Sequence, residues 1–359
     1  MTGEIIVFSF TRTGTELSRR LCGLLRQNGK NCRGYAAEKF AGDGIEPIPG
    51  EVRDFIGKNW GKCAFFFIGA AGIAVRYIAT FVKDKFTDSA VLVLDEKGRY
   101  VIPLLSGHMG GAVRMADETA GLIGAEALQT TATDVQKKFA VDVFAKRNNL
   151  SITDRHTAKE ISAAVLEGEK IALCPEYPGC RIEGAVPDEL VLCSSREEAM
   201  AFRFRIIVAD ELSGMEDSGE KRNTLLLRPR NVTAGIGCRR GISLELLKKG
   251  LESVLEENGL KPDQLECAAS IDLKKDEPAV LALAEEYGIP FITYPAEKLR
   301  EISSVTSSSA FVEQTTGVDN VCERAALMCC PEGELLCGKR VRESMTAALV
   351  RRPVILKME

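Results

Sequence analysis

The sequence predicts an α/β protein of more than one domain. The N- and C-terminal domains are expected to be three-layer α/β/α structures on mostly parallel sheets. A smaller α+β or α/β middle domain separates them. Three observations carry this. Short apolar runs of strand length alternate with stretches of helical apolar spacing. Three runs enter Gly-rich turns that precede helices: Gly69-Ala-Ala-Gly72, Ser106-Gly-His-Met-Gly-Gly111 and Gly235-Ile-Gly-Cys-Arg-Arg-Gly241. The chain has 359 residues, 45% of them apolar, enough for two or three cores. Composition places the breaks so that the domains cover 1–134, 135–229 and 230–359.

In chain order, Ile5–Phe8 reads as a strand, and Thr15 as the cap of a helix to Asn28 with Leu17, Leu21, Leu24 and Leu25 on one stripe. A polar stretch to Gly50 precedes a short helix, Val52–Asn59. Ala64–Ile68 and Val91–Leu94 are buried strands, with Asp95-Glu-Lys-Gly98 as the turn after the second. Tyr100–Leu105 is a strand, and helical spacing from Ala112 ends at Gly124. Leu128–Thr133 is a last small element.

In the middle domain, helices are expected over Val135–Asn148 and Thr157–Leu166. Ile171–Cys174, Leu190–Cys193, Phe204–Val208 and Thr224–Leu227 are strand-like, and Ser213–Asn223 is a loop. The last domain has strands at Val232, Leu265–Leu273, Pro290–Tyr294, Glu334–Cys337 and Met345–Val350. Its helices begin at Ser243, Pro278, Ala296 and Val321, the last capped by Asn320 after a polar loop, Phe311–Asn320.

Net charge is −4, with no basic tract interleaved with aromatics, which argues against nucleic acid as a partner. No apolar run reaches the length of a membrane span, and the first residues lack a basic region followed by an apolar one, so a cytoplasmic protein is expected. The twelve cysteines form no Cys-x-x-Cys pair and read as reduced, mostly buried thiols. With two distant histidines and a Cys322, Cys329, Cys330, Cys337 group of the wrong spacing, no protein-built metal site is expected.

The Gly-rich turns are neither Walker loops nor Gly-x-Gly-x-x-Gly fingerprints. Each reads either as a tight strand–helix connection or as a ligand site at a strand end, where amides receive an anion or oxyanion. His108, between glycines, is a candidate general base or substrate ligand, the alternative being a structural histidine. Arg76, Arg114, Arg239 and Arg240 follow the turns and suit carboxylate recognition, the alternative being solvated helix faces or salt bridges. Glu313, Thr315, Thr316, Gly317 and Glu323 gather carboxylates and hydroxyls near one loop.

Five segments in order resemble the CbiG family: Phe66-Phe-Ile-Gly-Ala-Ala-Gly-Ile-Ala-Val-Arg76, Pro103-Leu-Leu-Ser-Gly-His-Met-Gly-Gly-Ala112, Thr130-Thr-Ala-Thr-Asp134, Gly235-Ile-Gly-Cys-Arg-Arg-Gly241 and Glu313-Gln-Thr-Thr-Gly-Val-Asp-Asn-Val-Cys-Glu323. Its last part is CobE-like. The resemblance implies hydrolysis of cobalt-precorrin-5A in cobalamin biosynthesis. The ring-A δ-lactone opens and the two-carbon unit at C20 leaves as acetaldehyde, giving cobalt-precorrin-5B. No organic cofactor is implied, and cobalt arrives with the substrate. Other enzymes of the pathway are implied partners. His108, Glu313 and Glu323 are the implied proton carriers. Gly69, Ala70, Gly72, Arg76, Ser106, Gly107, Gly110, Gly111, Arg114, Gly237, Arg239, Arg240, Thr315, Thr316 and Gly317 are the implied substrate-binding residues, with all three turns expected to face one macrocycle. The rival readings are a non-catalytic tetrapyrrole carrier and a nucleotide- or phosphate-binding enzyme.

Overall fold

The computed structural model describes residues 3–84, 87–108, 110–177, 179–212, 222–303 and 305–358, and of Asp134 and Phe311 only the backbone. Met109 of the second turn and most of the expected 213–223 loop lie outside the described residues. The chain divides into two compact units between Lys138 and Phe139.

The first unit runs β1 (Ile5–Ser9), α1 (Arg12–Gln27), β2 (Cys32–Ala36), β3 (Ile45–Pro47), α2 (Val52–Asn59), β4 (Ala64–Ile68), α3 (Ala71–Ile78), β5 (Val91–Leu94), β6 (Tyr100–Leu105), α4 (Ala112–Ile123), β7 (Glu126–Ala127) and α5 (Ala132–Val135). Thr11, and not Thr15, caps α1: its hydroxyl accepts the Gly14 N–H at 3.0 Å, while Thr15 turns inward to Ser9. One sheet holds all seven strands in the order β3-β2-β1-β4-β5-β6-β7. Both faces are covered, so β4 is apolar at every position. Phe66 packs with α1 and α4 on one face, and Phe65 and Phe67 with Phe8, Tyr35 and Phe55 on the other.

Five strands are parallel, but β6 runs against β5: Val91 pairs with Leu105 and Leu94 with Val101. The cause is the short connection after β5. Asp95 accepts the N–H groups of Arg99 and Tyr100 at 2.7 and 2.8 Å, and Gly98 takes φ +66°, so the chain reverses directly. A parallel return needs a much longer crossover.

The second unit opens with α6 (Val141–Arg147), β8 (Leu150–Ile152), α7 (Arg155–Leu166), β9 (Ile171–Pro175), β10 (Arg181–Glu183), β11 (Leu190–Leu192), α8 (Arg196–Ala199), β12 (Arg205–Val208) and β13 (Thr224–Pro229). Its first sheet has the order β11-β9-β12-β13-β8, parallel except at the β8 edge. The expected single helix over 135–148 is α5 and α6, with the turn at Lys137 (φ +52°) between them.

There follow β14 (Val232–Cys238), α9 (Leu244–Glu257), β15 (Leu265–Ile271), α10 (Pro278–Tyr287), β16 (Phe291–Tyr294), α11 (Ala296–Arg300), α12 (Ala310–Thr316), α13 (Val321–Cys329), β17 (Glu334–Arg342), β18 (Met345–Arg351) and β19 (Ile355–Lys357). These form a second sheet, β16-β15-β14-β18-β17, with only β18 antiparallel to β14. Strand β19 pairs with β10, so the chain end packs Leu356 and Met358 into the middle core. The polar loop expected over 311–320 is partly helix. Ser309 accepts the Val312 N–H to start α12, and Gly317 ends it at φ +79°.

Candidate functional site

A cavity of about 730 Å³ opens in the second unit at the carboxyl ends of β14 and β15. It lies beside the switch in strand order where β18 joins β14, the usual place for a ligand in an open α/β sheet. Its wall is apolar, with Ile271, Leu273, Val312, Val341 and Met345. Leu273 and Val341, 56% and 65% exposed, present apolar surface to solvent in this wall. Around them stand Arg239, Arg240, Lys274, Lys339 and Arg342. Glu277 pairs with Lys274 at 3.1 Å, and Glu257 pairs with Arg342. Among the described residues Arg239, Arg240 and Lys339 have no ion-pair partner. Among the described residues Glu343 is the single carboxylate of the lining, so the rim they form is net positive.

Two glycines shape the strand that ends at the cavity, and neither lies in a turn. Gly235 and Gly237 are inside β14. A Cβ on Gly235 would sit 1.8 Å from the Cys322 carbonyl oxygen, so only glycine lets α13 cross the strand this closely. A Cβ on Gly237 would meet the Thr346 hydroxyl at 2.6 Å. The turn proper is Arg239–Gly241. There the Arg239 N–H donates to Ser344 O at 2.9 Å and the Gly241 N–H to Glu277 Oε1 at 2.9 Å, with Gly241 at φ +73°. Both arginine side chains are left exposed at the rim.

The cavity gathers Gly237, Arg239, Arg240, Thr315 and Thr316 from two of the sequence segments. Gly317, just beyond, ends α12 and accepts from Arg300 Nε through its carbonyl. The two carboxylates expected as proton carriers sit elsewhere. Glu313 is exposed on α12 and is not part of the lining formed by Val312, Thr315 and Thr316. Glu323 is fully buried. Burial alone would push its carboxyl up. The Thr306 hydroxyl at 2.7 Å and the Lys339 and Thr306 N–H groups at 2.6 Å outweigh that and hold it below the usual carboxylate range. It ties α13 to the 306 loop and β17 and is not part of the cavity lining. Sequence reasoning missed Glu343, Lys339, Arg342 and Lys274. The available signal was the basic run Lys339-Arg340-Val341-Arg342 ahead of Glu343.

In the first unit the His108 turn closes on itself. Ser106 ends β6 at φ +55°, a sparsely populated conformation for serine, with its hydroxyl buried and unpartnered among the described residues. A Cβ on Gly110 would come within 2.4 Å of the Ser106 Cβ, so this position requires glycine. Gly111, at φ +85°, is the N-cap of α4. The Ala112, Val113 and Gly111 N–H groups donate to the carbonyls of Ser106, Gly107 and His108 at 3.2, 3.0 and 3.1 Å. These three amides are therefore engaged within the turn and do not form the expected anion cradle; His108 is half-buried in it. The Thr130–Asp134 segment continues from β7, parallel to β6, toward the same corner. Thr131 Oγ1 lies 3.9 Å from where a Gly107 Cβ would be. Arg114 is exposed on α4 and pairs with Glu118 at 3.8 Å.

The Gly69 turn lies at the other edge of the same sheet. Ile68 is level with Leu94 and Val101, whereas Leu105 is level with Val91 and Phe65. At 3.3 Å per residue the two turns are about 15 Å or more apart. The expectation that all three turns face one macrocycle therefore finds no shared sheet edge in this unit, because β6 is antiparallel and the two turns leave opposite ends of the sheet. Gly69, Ala70, Gly72 and Arg76 instead stand at the switch between β1 and β4, near the Thr11 hydroxyl, which donates to Glu96 Oε2 at 2.8 Å. Among the described residues no three His, Cys, Asp or Glu side chains form a metal-ligand group, and no helix is long and apolar enough to cross a membrane.

Three family profiles match the chain in order: Cobalamin synthesis G N-terminal over residues 54–134, Cobalamin biosynthesis central region over 139–229 and Cobalamin synthesis G C-terminus over 232–350. The cobalt-precorrin-5A hydrolase of Salmonella typhimurium is 36% identical over 349 residues, which cover 95% of each chain. That of Priestia megaterium is 32% identical over 337 residues, 91% of this chain and 89% of its own. The protein CobE of a Sinorhizobium species is 31% identical over 126 residues, 35% of this chain and 82% of its own. With every part matched in sequence order, and two relatives above 30% identity along nearly the whole length, the chain belongs to the CbiG family of cobalamin biosynthesis.

Proposed function

We propose that the protein is a cobalt-precorrin-5A hydrolase, which opens the ring-A δ-lactone and releases the C20 two-carbon unit as acetaldehyde to give cobalt-precorrin-5B. The observation that carries this is 36% identity across 95% of the chain to a relative of that name. The cavity of the second unit supports it from chemistry alone. Its apolar wall suits the face of a large ring. Its net-positive rim suits a periphery of carboxylates, which guanidinium and ammonium groups bind by charge-assisted hydrogen bonds.

In this reading Arg239, Arg240 and Lys339 hold peripheral carboxylates, and Thr315 and Thr316 line the wall beside them. His108 is the acid–base group. It takes a proton from water as the oxygen adds to the lactone carbonyl. The imidazolium so formed is the positive group its turn offers to the oxyanion, since the Gly111, Ala112 and Val113 amides are engaged. Collapse breaks the acyl C–O bond as the imidazolium returns its proton to the leaving oxygen, leaving a ring-A acetate and a hydroxyl on C20. Loss of that hydroxyl proton then lets the bond from C20 to the ring break. The electron pair stays on the ring carbon, which is protonated, and C20 leaves with its methyl as acetaldehyde. No organic cofactor enters these steps, and the cobalt is the substrate's.

The test is incubation of the purified full chain with cobalt-precorrin-5A, following acetaldehyde through an alcohol dehydrogenase that consumes NADH. One acetaldehyde per substrate is expected. Tight binding without acetaldehyde would replace this reading with that of a carrier.

A further inference from the structure

A second cavity of about 520 Å³ lies in the same unit at the opposite edge of the β14–β18 sheet, where β15 begins and β18 ends. Cys267, near the start of β15, and Cys329, the last residue of α13, both line it. Their Sγ atoms are 3.3 Å apart. Cys267 is buried and Cys329 half-buried. Nothing in the proposed hydrolysis uses either thiol.

Another pair provides the contrast. Cys22 and Cys32 also stand 3.3 Å apart, but they are 1% and 3% exposed, inside the α1 core. They line neither cavity. In both pairs one thiol is made more acidic by the hydrogen bond of the other, so proton sharing does not separate them. Access does.

We propose that Cys329 is a reactive thiol, reached through this cavity by a small oxidant of the peroxide class, and that Cys267 resolves it to a disulfide. The Cys329 thiolate attacks one peroxide oxygen. The O–O bond breaks, one water leaves, and Cys329 becomes a sulfenic acid. The Cys267 sulfur then attacks Cys329 Sγ. The S–O bond breaks, a second water leaves, and the S–S bond forms. Two thiols lose two electrons and two protons, and one peroxide gains them. The sulfurs close from 3.3 Å to about 2.0 Å, a movement that the end of a helix can absorb. The Cys267 hydrogen bond, with others from Tyr294 and Thr233, brings the Cys329 pKa down to about 7 against the effect of burial, while Cys267 is pushed up.

The experiment treats the reduced, folded full chain with hydrogen peroxide, blocks remaining thiols with iodoacetamide and maps the peptides by mass spectrometry. A Cys267–Cys329 cross-link is expected, with Cys22 and Cys32 alkylated only after unfolding. Cys329→Ser should abolish the cross-link. Cys267→Ser should leave a sulfenic acid on Cys329 that dimedone traps. Without peroxide, alkylation of Cys329 should rise with pH and reach half its limit near pH 7. Cys329 left reduced while Cys22 and Cys32 oxidise, or a cross-link from Cys329 to any other cysteine, would overturn the proposal. The wild-type map decides this even if a variant fails to fold.

Discussion

The His108 turn and the arginine-rimmed cavity are built by opposite means from segments that look alike in sequence. Each is a strand running into glycines and then a helix. In the first, the glycines are in the turn, and backbone carbonyls and amides close on one another around a strained serine. In the second, the key glycines lie in the strand, where the bare Gly235 lets a helix touch the backbone and the bare Gly237 leaves room for the Thr346 hydroxyl. The first corner holds a half-buried imidazole, to which the proposed chemistry is assigned. The second leaves a floor on which side chains from four other segments meet. A Gly-rich strand exit is therefore not in itself an anion site; where the glycines fall relative to the strand end decides what it becomes.

The comparison breaks most sharply at His108. If this corner works through one side chain, His108→Ala should lower kcat for acetaldehyde release by about 10²–10⁴-fold, the usual worth of a general acid–base group, an effect far larger than any on folding. Wild-type turnover would return the turn to a purely structural role. The corresponding break in the cavity is Gly235→Ala. A methyl 1.8 Å from a carbonyl oxygen forces α13 off the sheet, and a loss of about 3 kcal/mol in urea unfolding is expected, the upper end for overpacking. A loss under 1 kcal/mol would mean the helix crosses with room to spare.

Much of this was readable in the chain itself. Helices Val52–Asn59 and Val321–Cys329 fall on their expected bounds, and Asn320 caps the second by accepting the Glu323 N–H, because caps and apolar spacing are local signals. The segments bearing Arg239, Arg240, Thr315 and Thr316 were singled out and do meet. What escaped was non-local. The hairpin carrying Lys339, Arg342 and Glu343 reaches the cavity only because β18 pairs with β14, and no periodicity encodes that choice of partner. β19 is three residues long and has meaning only beside β10. The placement of the Gly69 and His108 turns is a different case. The Asp95–Gly98 reversal is too short for a crossover, so the antiparallel β6 was implied by a turn already recognised.

Glu323 sharpens the contrast between a group that positions and one that reacts. Glu323→Gln removes the charge that Thr306 and Lys339 donate to, and roughly 2 kcal/mol of stability should be lost at neutral pH. Its folded pKa is depressed, so its contribution is full above the ordinary carboxylate range and disappears as pH falls through the lower folded value. Denaturant curves of wild type and variant should thus begin to converge below about pH 4.3 and meet only once the pH is below the lower folded value. A gap that persists there would assign the effect to shape and not to charge.

The smallest effect expected is at the rim, and it discriminates best between the two corners. Arg239 is exposed and without an ion-pair partner among the described residues, so its loss leaves no buried charge behind and the fold should be unaffected. A charge-assisted hydrogen bond to a substrate carboxylate is worth about 1.5–3 kcal/mol when well formed, and solvent reduces this at an open rim. Arg239→Ala should therefore raise KM roughly tenfold and leave kcat nearly unchanged, the mark of binding shared by ground and transition states. The same variant should be less sensitive to salt than wild type, because one screened interaction has gone. His108→Ala should show the reverse pattern, with kcat falling and the salt dependence intact. If Arg239→Ala instead lowered kcat alone, the rim would be part of the chemistry, and the division between a corner that reacts and a cavity that holds would fail.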